Sequence, residues 1–320
     1  IVCLAYLSGV ADPELVKEIK KRLKTINTDA ILSSGYIEEY IEDAPYSIFQ
    51  TMNYTEKPDI VAAKLLEGRC ALMIDGTPFV ITMPMLFFEC FQSPEDYAVR
   101  PYMATLLRII RVGAFVISIA APAIYVALVT FHQELIPTKL LFTVAASSEG
   151  TPFTSAIETS IMLITFEILK EAGIRLPKLI GQAVSIVGEL VMGPAAIEAG
   201  VVGAPVVIVI AFAAVSGFLI PNLSDAMSIL RWYLLLLSAT MGGFGIAVGT
   251  MTLLLHLASL ESFGAIYLHT FSPFYTPELK DGIVRQHRGR MQTRPAAFSP
   301  TDEVRMNMQE PKFGEDGDDK

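Results

Sequence analysis

The sequence predicts an α/β (or α+β) soluble N-terminal domain followed by an α-helical polytopic membrane domain. Three observations carry that reading. Of 320 residues, 52% are hydrophobic and 18% charged, where a soluble domain has about a quarter charged; the mean hydropathy is +0.49. The deficit is uneven: residues 1–100 carry an ordinary load of Lys, Glu and Asp, whereas 112–131 and 199–224 carry none. Strand-like and helix-like segments alternate in the first part, and apolar runs of about 20 residues, long enough to cross a bilayer, follow. The expected division is 1–102 as a soluble cytoplasmic domain whose start is missing and 103–272 as a membrane helix bundle. Residues 273–320 follow as a basic juxtamembrane segment and a disordered acidic tail.

The soluble part is read element by element. Residues 1–7 are apolar and β-prone, and Gly9 ends the run. Asp12-Pro13-Glu14 has the form of a helix start, an N-cap with Pro at the first helical position. Leu15, Ile19, Leu23 and Ile26 then repeat at helical spacing, with lysines between them. A second helix is expected near Ser34–Ile41. Two strands, Cys70–Ile74 and 79–82, flank the turn signal Asp75-Gly76-Thr77-Pro78. Ser93 and Asp96 have the spacing of a capping box that opens another helix. Cys3, Cys70 and Cys90 have no metal-like spacing and read as small apolar core residues with free thiols.

In the second part, 112–131, 201–220 and 232–255 each qualify as spans. Pro122 is expected to kink the first, Pro221-Asn222 closes the second, and Arg231-Trp232-Tyr233 anchors the third at an interface. Gly242, Gly243 and Gly245 allow close helix packing there. Residues 179–199 are long enough to span but hold Glu189 and Glu198. A helix from Thr151-Pro152 to about Glu171 holds Glu158 and Glu167 on opposite faces and reads as interfacial or re-entrant. Arg108 and Arg111 precede the first span. Lys280, Arg285, Arg288, Arg290 and Arg294 follow the last against one acid, Asp281. These basic residues, set for topology and for lipid headgroups, place both ends in the cytoplasm. Four crossings satisfy that: 110–131, 179–199, 201–221 and 231–258.

Gln182, Ser185 and Glu189 are three and four residues apart, so they share a helix face that Ala196 continues. An ionised acid at membrane depth costs roughly 2.5–3.5 kcal/mol on insertion scales. The stripe therefore faces protein or water, either as a pore lining or as a polar contact between packed helices. The membrane carboxylates Glu158, Glu167 and Glu198 are read the same way, with Glu198 solvated at a helix end. His256 and His269 are single histidines at helix ends, read as packing. A net charge of −9 argues against a nucleic-acid partner. No nucleophile–base or metal constellation appears, so no enzyme, metal or cofactor is expected. No convincing inverted repeat supports a proton-coupled secondary transporter, the weaker alternative.

The run 68–80, GRCALMIDGTPFV, and 91–97, FQSPEDY, resemble the GerA family of spore germination receptors, A-type subunit. So do 166–177, FEILKEAGIRLP, then 180–188, IGQAVSIVG, 256–260, HLASL, and the basic segment with Lys280-Asp281 and 291–295, MQTRP. The resemblance runs from about residue 3 to 297, with departures at Thr154, Glu189 and Gly193-Pro194. It implies a subunit in the spore inner membrane that works with a transporter-like B-type subunit and a lipoprotein-like C-type subunit. It also implies a ring of copies that forms a nutrient-gated cation channel lined by the 182–188 helix. A non-conducting scaffold or relay subunit is the alternative.

Overall fold

The structure is a computed structural model and describes residues 1–31, 33–177, 181, 193–269, 281–287, 291–298, 300–302 and 304–305. Its contacts divide into two compact units, Ile1–Ile109 with Leu255–Lys320, and Ile110–Leu254.

The first unit is built on β1 (Val2–Tyr6), α1 (Pro13–Thr25), α2 (Ser34–Ile41), β2 (Asn53–Thr55), α3 (Pro58–Leu66), β3 (Cys70–Ile74) and β4 (Val80–Met83). The strands form one antiparallel sheet in the order β1-β3-β4-β2. The register pairs Val2 with Ile74 and Met73 with Val80. All pairings are antiparallel, so the α+β alternative describes this sheet. The Asp12 cap is the one the sequence announces, and Ser33 supplies a second cap that the structure adds. The Glu14 amide donates to Asp12 Oδ1 at 2.9 Å, and the Gly35 amide to Ser33 Oγ at 3.3 Å. Gly76, at φ +90°, turns β3 into β4, a conformation that glycine adopts without a Cβ penalty.

Strand periodicity then decides which strand residues meet the helices. Cys70, Leu72 and Ile74 alternate onto one face with Ile81 and Met83 of the next strand. Leu15, Val16 and Ile19 of α1 and Ile37 and Ile41 of α2 cover that face. Met73, one residue out of phase, is exposed. Burial pushes the Cys70 thiol up to about 12, and Cys90 likewise to about 12. Both behave as core hydrophobes, while Cys3 is exposed.

The capping-box acceptor works as expected, with the Ser93 amide donating to Asp96 Oδ2 at 3.1 Å. It opens only a short 3-10 turn, Pro94–Tyr97, and the long helix starts after it, at Pro101. Near the other end of the chain, β5 (Glu261–Ser262) and β6 (Ala265–Ile266) form a tight hairpin. Both central residues, Phe263 and Gly264, have positive φ, the geometry a two-residue hairpin turn requires. Ser262 Oγ donates to the Thr51 carbonyl at 2.6 Å and accepts the Met85 amide at 3.1 Å, which ties the hairpin to the sheet unit.

Two ion clusters are buried in this unit. Arg69 pairs with Glu89 at 2.6 Å and Glu67 at 2.9 Å, with Lys64 2.7 Å from Glu89. The Phe298 ring lies 3.9 Å from the Arg69 guanidinium. Burial alone would raise the Glu89 carboxyl, but the charges of Arg69 and Lys64 outweigh it and hold the group down to about 2. In the second cluster Arg108 reaches Asp96 at 3.2 Å and Asp281 at 3.0 Å, and Tyr97 donates to Asp281 at 2.8 Å.

The remaining α-helices fall wholly or mostly in the second unit. They are α4 (Pro101–Thr130), α5 (Thr138–Ser148), α6 (Ser155–Arg175), α7 (Gly193–Glu198), α8 (Ala204–Gly217) and α9 (Ser224–Ser259). Among the described residues two helices are long and apolar enough to cross a membrane, α4 and the stretch Pro221–Ser259. The expected crossing at 201–221 contains α8, an apolar helix of 14 residues, about 21 Å at 1.5 Å per residue. Most of 179–199 lies outside the described residues. The glycine-rich expectation for the last span has a specific form. α9 is broken at Gly242 (φ +60°, ψ −137°), a conformation closed to side-chain-bearing residues. A Cβ there would meet Phe131 at 2.8 Å. The amide freed next to the break, that of Gly243, donates to His132 Nε2 at 3.2 Å.

Candidate functional site

An apolar helical unit that keeps ionisable side chains inside it marks the place to look for function. Two such side chains anchor the site. Glu158 is 1% exposed and Arg231 3% exposed.

Arg231 is explained by the helix opposite. Pro122 lies inside α4 and has no N–H, so the carbonyl four residues back, that of Ser118, has no intrahelical donor. An unpaired carbonyl in an apolar interior costs about as much as a lost hydrogen bond. Arg231 supplies the missing donor: its Nε lies 3.0 Å from the Ser118 carbonyl and its Nη2 2.6 Å from Ser118 Oγ. The remaining arm, Nη1, donates to Glu167 Oε1 at 3.1 Å. The planar fork of arginine makes three bonds in three directions possible; a lysine has no such geometry. Phe166 places its ring 5.7 Å from the guanidinium.

The chain of contacts continues through α6. Lys170 Nζ reaches Glu167 Oε2 at 3.3 Å and Ser228 Oγ at 3.0 Å. Glu167 and Lys170 meet because they are three apart on one helix. Ser228 and Arg231, also three apart, return the network to α9. Four consecutive links thus join α4, α6 and α9 through side chains alone.

Glu158 acts at the start of α8. Its Oε2 accepts the amide of Gly203, the N-cap residue, at 3.0 Å, and its Oε1 accepts Thr151 Oγ1 at 2.5 Å. A carboxylate at a helix N-terminus meets both an orphan amide and the positive end of the dipole. The nine-residue spacing puts Glu158 and Glu167 on opposite faces of α6, as the sequence implies, and each face has its own partner.

Close packing makes this geometry possible. A Cβ on Gly217, at the end of α8, would sit 2.7 Å from Arg231 Nη2 and 3.0 Å from Ser118 Oγ. Gly217→Ala is therefore expected to push the guanidinium off Ser118 and cost about 1–3 kcal/mol, the usual range for overpacking. Gly113→Ala is its control, because a Cβ there has nothing within 4 Å. Thermal unfolding in detergent micelles should show a lowered midpoint for the first and an unchanged or raised one for the second. Equal midpoints would mean that Gly217 is not a packing contact.

The residues singled out from the sequence are distributed as follows. Glu158 and Glu167 lie in the site. Gln182, Ser185 and Glu189 lie outside the described residues, so the expected pore stripe is represented by Ala196 alone, half-buried in α7. Glu198, at the end of that helix, is exposed. Arg108 is fully buried in the sheet unit's second ion cluster instead of facing headgroups. Arg285 is also buried and donates to the Val99 and Tyr97 carbonyls. Arg111 is half-buried. Arg294 donates to the Leu66 carbonyl at 2.9 Å and pairs with Asp302 at 2.9 Å. Arg288 and Arg290 lie outside the described residues. His256 accepts or donates at Ser47 Oγ, 3.1 Å away, beside the Phe49 ring. Among the described residues no group of three or more His, Cys, Asp or Glu is placed to hold a metal ion.

Arg231, Lys170, Ser118 and Gly217 were not picked out from the sequence as site residues. One signal was available: a proline inside an apolar helix leaves a known carbonyl orphaned, and a lone arginine in a later apolar run is a ready donor for it.

A profile of the family described as Bacillus/Clostridium GerA spore germination protein matches residues 1–297. The chain is 50% identical over 300 residues to the uncharacterized membrane protein YfkQ of Bacillus subtilis, covering 93% of this chain and 58% of that protein. It is 47% identical over 306 residues to spore germination protein KA of Bacillus subtilis, covering 95% and 56%. It is 39% identical over 303 residues to spore germination protein GerLA of Bacillus cereus, covering 94% and 62%. This chain thus spans little more than half the length of these relatives. No solved structure matches it.

Proposed function

The chain belongs to the GerA family of spore germination proteins, and from that premise we propose that it is a membrane subunit of a nutrient-sensing germination receptor. In this reading copies of the chain assemble in the spore inner membrane into an oligomeric ligand-gated cation channel, with both termini in the cytoplasm. B-type and C-type receptor subunits complete the assembly, and the channel releases ions when germinant binds. The observation that carries the reading is the set of ionisable side chains kept inside an apolar helical unit. Such groups line ion paths or hold the helices that do. The stripe Gln182, Ser185 and Glu189 supplies the candidate pore face, continued by Ala196.

One observation favours a second reading, a non-conducting scaffold or relay. All three guanidinium nitrogens of Arg231 are taken by protein groups, as are both Glu158 oxygens. That pattern suits a rigid relay between helices as well as a pore wall.

The test is monovalent cation efflux from liposomes holding the complete receptor, with and without germinant. Wild type is compared with Ser185→Trp and Glu189→Lys. Germinant-triggered efflux that either substitution alters supports the channel and its pore face. A receptor that binds germinant but releases no ions assigns the chain the relay role instead.

A further inference from the structure

α1 has two chemically opposite faces. Leu15, Val16 and Ile19 are in the core, while Lys17, Lys20, Lys21 and Lys24 are all exposed. Spacings of three, four and seven residues put those lysines within an arc of about 100° on one side. With Pro13, Val16 and Thr25 they line a shallow open groove along the helix. The face has little counter-charge. Glu18 serves Lys21 at 3.3 Å and Arg22 at 3.0 Å, and Lys20 lies 5.3 Å over the Tyr6 ring. Among the described residues no ion pair engages Lys17, Lys20 or Lys24. Four like charges held this closely repel one another, yet the chain as a whole carries a net charge of −9. Negative charge is abundant elsewhere in the same molecule.

The second observation is where the chain's far end is fastened. The Thr301 amide donates to the Val10 carbonyl at 2.9 Å, two residues before Asp12, which caps α1. A bridge between Thr293 and Val304, the Arg294–Asp302 pair at 2.9 Å, and the Arg305 amide on the Gln292 carbonyl at 2.8 Å hold this segment as far as residue 305. Residues 306–320 then contain Glu310, Glu315, Asp316, Asp318 and Asp319 against Lys312 and Lys320. From that anchor fifteen residues reach about 50 Å when extended. A 13-residue helix is only about 20 Å long. The acidic run is therefore long enough to span the basic face, and the Thr301–Val10 contact fastens the chain ahead of it near the start of α1.

We propose that the lysine face of α1 is a docking surface for the acidic segment 306–320 of the same chain. The segment serves as a tethered counter-ion at an effective concentration in the millimolar range. The contact is electrostatic and at the surface, so salt weakens it as the screening length falls from about 10 Å at 0.1 M to 3 Å at 1 M.

The test uses the full chain purified in detergent. Zero-length carbodiimide coupling at low salt should link lysines of 13–25 to acids of 306–320 within single chains. The links should disappear at 1 M salt. The second measurement is the acylation rate of the four lysines with a succinimidyl ester. Ending the chain after residue 305 should raise that rate on the order of tenfold if the segment occupies the face nearly all the time. Equal acylation rates with and without 306–320 overturn the proposal and leave a solvated face. Protection that appears only when phosphatidylglycerol vesicles are added also overturns it, by assigning the face to lipid headgroups. Links found only between different chains overturn the intramolecular form. None of these readouts depends on ion conduction, so the outcome is separate from that of the channel test.

Discussion

Arg231→Leu is expected to be among the most damaging single changes in the helical unit, costing about 3–5 kcal/mol, the usual range for removing one member of a buried pair. The loss has two parts. Glu167 keeps only Lys170, and the Ser118 carbonyl is left without the donor that Pro122 cannot supply. The second part gives a sharp internal check. Pro122→Ala restores an N–H four residues after Ser118, so the carbonyl regains an intrahelical partner. In that background Arg231→Leu should cost about 1 kcal/mol less, the net worth of one hydrogen bond. A double-mutant cycle read by denaturant titration in mixed micelles measures the difference. Strict additivity would refute the account of Arg231 as the proline's substitute donor. Arg231→Lys should fall between wild type and leucine, because it keeps the charge toward Glu167 and loses the fork.

Glu89→Ala is the counterpart in the sheet unit, also expected to cost about 3–5 kcal/mol. It leaves Arg69, only 3% exposed at its side chain, with Glu67 as its remaining acid, and Lys64 with none at this site. The same group sets an acid limit. Its folded carboxyl is held down to about 2, against an unfolded value of 4.5. A depressed carboxylate contributes stability that is fully present above the unfolded value and is lost as pH falls through the folded one. The sheet unit should therefore lose stability between pH 4.5 and about 2. Glu89→Gln should start less stable and show a shallower decline over that window. An unchanged slope would show that other acids dominate the acid limb.

The two ion clusters and the Arg231 network share a feature. Each uses short-range neighbours on one helix or turn and then closes through a partner far along the chain. Asp96 and Arg108 are 12 residues apart, whereas Arg108 and Asp281 are separated by 173 and Arg231 and Ser118 by 113. Reading Arg108 and Arg285 as headgroup-facing followed from their position beside an apolar run. The buried carbonyls and carboxylates that claim them are visible only once the chain is folded.

What the sequence by itself determined is local. The Asp12 cap, the Gly76 turn between two strands and the Ser34–Ile41 helix follow from propensity and hydrogen bonds within a few residues, as does the apolar length of the 112–131 run. The family likewise was legible in contiguous motifs. What only the tertiary structure decided is non-local. The sheet order comes from folding, as do the break of α9 at Gly242 against Phe131 and the ties of Ser262, Asp281 and Thr301 within the first unit. So does the pairing of each buried charge. Burying an ion is favourable only where a partner meets it, and that partner is chosen by how the helices and strands pack, not by the residues beside it in the chain.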